Sequence, residues 1–141
     1  MSIGSAVAIA ATFLWLGMVT AISFMEAPLK FRAPNATIPV CLGIGRIVFR
    51  ALNTAELILA AVIAVTFVTD RPSTPVIVAF AVAVVMLFGQ LLGVRPRLSR
   101  RADEVLAGLD APRSNAHYAY VGLEVVKVAA LVPMGILLLA R

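Results

Sequence analysis

Four apolar runs, each long enough to cross a bilayer, set the terms on which this chain can fold. Residues 3–25 carry no charge, and neither do residues 75–94. Residues 47–68 carry Arg50 and Glu56, and residues 118–140 carry Glu124 and Lys127. About 20 apolar residues span a hydrocarbon core. In lipid every backbone N–H and C=O must be satisfied within the protein, which leaves helices or a closed barrel. Four segments cannot close a barrel, so the valine-rich third run reads as a helix too. Composition agrees. The chain is 62% hydrophobic and 13% charged, against roughly half and a quarter for a soluble domain. The expected fold is an all-α membrane protein, a single domain over residues 1–141. Its four transmembrane helices lie near 3–25, 42–68, 75–94 and 116–140 in a compact bundle, with a short interfacial helix near 100–107.

The first run lacks a basic leader and has too long an apolar core for a signal peptide. One cysteine, Cys41, excludes an internal disulfide framework and a cysteine metal cluster within one chain. With one histidine and no metal-ligand spacing, no metal site or catalytic residue is assigned, no cofactor is named, and the balance leans away from an enzyme. The net charge of +5 does not imply nucleic acid, because no soluble domain presents a basic face.

Basic residues fix the expected orientation. Lys30, Arg32, Arg46, Arg50, Arg95, Arg97, Arg100, Arg101 and Arg113 cluster at one end, while only Arg71 and Arg141 lie at the other. Nine against two places loops 26–40 and 95–115 in the cytoplasm and both termini outside. Small-residue pairs, Gly17 with Ala21 and Gly89 with Gly93, suit close helix contact.

A carboxylate at mid-membrane costs roughly 2.5–3.5 kcal/mol on insertion scales, so Glu56 requires a partner. Arg46, Arg50, Asn53 and Glu56 fall at offsets 0, 4, 7 and 10 of one helix stripe. His117, Tyr120, Glu124 and Lys127 fall at 0, 3, 7 and 10 of another. Helices 2 and 4 run the same way, so depth can be counted from their outer ends. Glu56 lies 12 residues in from Val68, and Lys127 lies 13 in from Ala140. Lys127 is therefore the expected partner of Glu56. Asn53 and Glu124 form the next level, then Arg50 and Tyr120. Glu26, Arg46 and His117 come at the cytoplasmic mouth, where they can also snorkel to headgroups. The polar column so defined is about 15–17 Å long. A weak repeat accompanies it: Pro28-Leu-Lys-Phe-Arg32 and Pro96-Arg-Leu-Ser-Arg100 each close a helical hairpin.

Four stretches carry a resemblance. They are Phe24 to Pro34, Gly45-Arg46 with Phe49, Asn53 and Glu56, Pro96 to Gly108, and Ser114 with His117, Tyr120, Glu124 and Lys127. In these the chain resembles a family of uncharacterised small bacterial four-helix inner-membrane proteins. Through Trp15, Gly17, Pro28 and Phe31 it is more distantly similar to TMEM205-like families. The resemblance implies four helices and a signature polar stripe, and it implies no activity.

Three functions fit the column. One is a proton-, ion- or small-solute-handling transporter. The second is a structural or assembly subunit of a larger membrane complex, with ion pairs setting helix register. The third is an anionic-lipid-binding protein using Arg46, Arg50 and the Arg95–Arg101 cluster. Expected partners are the lipid bilayer, anionic lipid, and a homo-oligomer or membrane complex.

Overall fold

The computed structural model describes residues 2–108 and 115–140, with side chains from residue 118 onward in the second segment. All regular structure among them is helical. Three helices, α1 (Ile3–Lys30), α2 (Ile38–Thr69) and α3 (Thr74–Leu106), are long and apolar enough to cross a membrane. So is α4 (Asn115–Leu139), through its stretch Tyr118–Leu139. The architecture is that of a multi-pass membrane protein.

Local chemistry sets the helix limits. Ser2 and Thr37 cap α1 and α2 by accepting from the backbone N–H groups of Ser5 and Val40. Pro39 and Pro75 sit in first turns, where a missing N–H costs nothing. After α3 the chain turns at Gly108, whose φ of 86° needs a residue without Cβ. The hydroxyls of Ser2 and Ser5 both donate to Asp70 Oδ2, at 2.9 and 3.1 Å, and tie the N-terminus to the α2–α3 turn. Ser114, the expected cap of α4, lies outside the described residues.

Two helices outrun the sequence expectation. Residues 100–107 do not form a separate interfacial helix; α3 continues without a break to Leu106. Likewise α1 passes through Pro28 to Lys30. Proline lacks an N–H, and its ring crowds the carbonyl four residues back. In both helices a wide π turn relieves that conflict. Thr20–Glu26 and Gln90–Val94 are π-helical. Ala27 N–H reaches Ile22 C=O and Arg95 N–H reaches Gln90 C=O, each one residue before a proline.

Packing is tightest between α1 and α2, between α3 and α4, and between α1 and α4. The expected small-residue contacts are not among the close approaches. Gly17 and Gly93 face open space, and Gly89 meets only Leu123 at ordinary van der Waals distance. Close approach occurs elsewhere: a Cβ on Gly135 would lie 2.7 Å from the Phe13 ring. The half of the bundle nearest the termini is filled by Ile63, Val76, Leu131, Met134 and Leu138, all buried. Ile58, Val65, Val85 and Ile136 point outward and stay exposed, as lipid-facing residues must.

Candidate functional site

The site sits where all four helices send a polar side chain to one point. Its centre is Lys127 on α4. The Nζ atom lies 2.5 Å from Glu56 Oε1, and 2.7 Å from Glu124 Oε1 on its own helix. It also donates to Gln90 Oε1 on α3 at 2.6 Å. Trp15 on α1 donates its indole N–H to the same Glu56 Oε1 at 2.9 Å. Ser23, inside the π turn of α1, donates to Glu124 Oε2 at 2.7 Å. The three charged side chains are 0%, 0% and 1% exposed. An ammonium has three protons to place, and three oxygens surround this one.

The charges do not balance. Two carboxylates share one ammonium, so the triad carries a formal charge of −1 when all three ionise. Nor is every oxygen satisfied. Among the described residues, Glu56 Oε2 is buried and accepts no hydrogen bond, and Glu124 Oε1 meets Lys127 as an ion pair without hydrogen-bond geometry. Leaving a buried acceptor of a charged group unpaired is costly. A proton, or a cation, placed at that surplus would remove the cost.

Next to the triad lie two weaker links. Tyr120 donates its hydroxyl to Asn53 Oδ1 across a long 3.4 Å, and Gln90 Nε2 donates to the Tyr120 carbonyl at 3.3 Å. The Phe49 ring meets Tyr120 edge-on, with centroids 5.5 Å apart. Beyond Tyr120 and Glu124 a cavity of about 460 Å³ opens between the Lys30 end of α1, the first half of α2, and the extension of α3.

Of the expected column, the structure brings Asn53, Glu56, Tyr120, Glu124 and Lys127 together. It does not bring Arg50, which is exposed. Arg50 and Glu56 are six residues apart, so they point about 120° from one another around the helix. Arg46 pairs with Asp103 on the extension of α3 rather than with Glu26. Glu26 faces Lys30 one turn on, at 3.8 Å. The side chain of His117 lies outside the described residues.

Trp15, Ser23 and Gln90 are part of the cluster and escaped the sequence reading. The depth count applied to uncharged polar residues would have found two of them. Trp15 is 12 residues in from Ile3, and Gln90 is 16 in from Thr74, beside Glu56 and Glu124 respectively. Ser23 carried no such signal, since a π turn aims it.

The geometry also deepens the repeat. Pro28 and Pro96 are 68 residues apart, as are Arg32 and Arg100, and as are Glu56 and Glu124. Each hairpin thus supplies a π turn before a proline and, 28 residues after that proline, a buried carboxylate. Lys127 has no counterpart, because position 59 is leucine. Comparison of the chain with protein-family models, with characterised proteins and with solved structures found no match.

Proposed function

We propose that this protein is a proton-handling transporter of a bacterial inner membrane, with both termini outside and the Lys30/Arg95 end in the cytoplasm. The observation that carries the reading is the buried triad with one carboxylate too many. A latch built only for register would match its charges. A proton carrier needs a carboxylate that can take up and release a proton without breaking the cluster. Two features support the assignment. Glu124 joins the triad and also lines the cavity, which gives protons an entrance from one end. The apolar plug around Ile63, Leu131 and Met134 closes the other end, as one state of an alternating-access cycle requires. π turns recur at functional sites, and here both adjoin the cluster.

Purified protein in proteoliposomes carrying an internal pH dye tests this. An imposed pH gradient is expected to decay faster than in empty liposomes. Equal rates sink the proposal.

One observation favours a second reading, assembly with another helix. The Gly17/Ala21 and Gly89/Gly93 faces are exposed and hold the spacing that lets helices pack backbone to backbone. Native mass spectrometry from a mild detergent is then expected to show a dimer or higher species, and a single-chain mass removes this reading.

A further inference from the structure

The cavity above the triad is basic where the triad is acidic. Lys30, Arg46, Arg95 and Arg101 line it, and among the described residues the one carboxylate in its wall, Glu124, is already engaged by Lys127 and Ser23. Arg46 has Asp103, and Lys30 has a distant Glu26. Arg95 has no carboxylate within ion-pair distance among the described residues. Its guanidinium instead lies 5.7 Å over the Phe49 ring, which Lys30 Nζ also approaches at 5.8 Å. Phe31 and Leu98 add apolar wall. A volume of about 460 Å³ is in the range of small-molecule sites.

A cavity with the Arg95 guanidinium and the Lys30 ammonium set on the Phe49 ring suits an anionic head on an apolar body. Arginine grips carboxylate and phosphate oxygens in pairs, and aromatic faces hold both its guanidinium plane and a ligand's apolar part. Gly45 contributes by being small. A Cβ there would lie 2.7 Å from Lys30 Nζ, so glycine lets the ammonium rest against α2 beside the cavity.

We infer that this cavity binds an amphiphilic organic anion, and that the anion enters together with a proton. The inference rests on the proton-handling reading. Its physical basis is the position of Glu124 between cavity and triad. An anion seated in the cavity faces a cluster that already has a surplus negative charge. Binding is favoured when that surplus is neutralised by a proton, and by reciprocity protonation favours the anion. One anion and one proton together add no net charge, which lowers the cost of crossing the apolar plug.

Calorimetric titration of the purified full chain with benzoate in neutral detergent tests the idea, run in two buffers of different ionisation enthalpy to count protons. Saturable binding is expected, with up to one proton taken up per benzoate. Lys30→Gln with Arg95→Gln is expected to weaken binding about tenfold or more. Gly45→Ala displaces only the end of a flexible lysine and adds a better helix former, so it keeps the fold and weakens binding alone. Glu124→Gln has the opposite sign: binding tightens and proton uptake disappears.

The anion has two sources, a soluble amphiphile or a bilayer lipid. Nanodiscs of phosphatidylglycerol against phosphatidylcholine separate them. Loss of benzoate binding only in phosphatidylglycerol assigns the site to lipid headgroups, and equal binding assigns it to a soluble anion; both support an anion site. No saturable benzoate binding, or equal binding by native protein and the Lys30→Gln/Arg95→Gln variant, overturns the inference. Proton flux without benzoate binding removes the anion and leaves the transporter. Benzoate binding by a chain that passes no protons keeps the anion site and removes the transporter.

Discussion

Lys127→Met is expected to destabilise the bundle by about 3–5 kcal/mol, the usual cost of stripping one partner from a buried ion pair. The substitution keeps length and volume, so the surrounding packing is little changed. It leaves Glu56 and Glu124 buried with no cation, and Gln90 Oε1 with no donor from Lys127. Unfolding by heat or denaturing detergent, followed by helical circular dichroism, reads the loss. A triple variant isolates the cause. Adding Glu56→Gln and Glu124→Gln to Lys127→Met removes the stranded charges and should return most of the stability. If Lys127→Met alone unfolds within about 0.5 kcal/mol of the native chain, which is the range of ordinary surface substitutions, the ammonium does not hold these helices together.

Glu56→Gln separates stability from transport. Glutamine keeps an oxygen where Trp15 and Lys127 donate, and it leaves one carboxylate to one ammonium. The fold is therefore expected to change by only about 1 kcal/mol, the scale of a single net hydrogen bond. Proton flux in proteoliposomes is expected to fall to that of empty liposomes, because an amide cannot carry the proton. A residue that serves register would show the reverse, an unstable protein with no effect on flux per folded molecule. Selection for activity over stability commonly leaves such surplus groups in place.

Much of this was legible in the residues, for definite reasons. Four helices follow from hydropathy and length, since lipid offers the backbone no other way to satisfy its hydrogen bonds. The Glu56–Lys127 pair follows from depth, because helices of fixed rise align residues counted from a common boundary. The mouth of the column was less legible. Arg46 takes Asp103 as its partner, and Asp103 lies on a charged stretch that hydropathy alone separates from α3. The π turn at Gln90–Val94 carries the helix past Pro96, and nothing in the local sequence announces it. Arg50 and Glu56 share a polar stripe that spreads over 120°, too wide to count as one face. Uncharged members such as Trp15 and Ser23 raise no insertion cost, so a search driven by expensive charges passes over them.

The missing counterpart of Lys127 has a consequence for direction. Two identical hairpins, paired about an axis along the membrane normal, would hold Glu56 and Glu124 in the same surroundings. A proton would have no reason to visit one before the other. A lysine in only the second hairpin ends that equivalence. Glu124 stands at the cavity wall with Ser23, and Glu56 stands deeper, under the Trp15 indole. If the chain handles protons as proposed, the two carboxylates are an outer and an inner station, and order of occupancy is a property of the chain. On that reading, two similar hairpins with one lysine between them turn a symmetric pair into a sequence of steps.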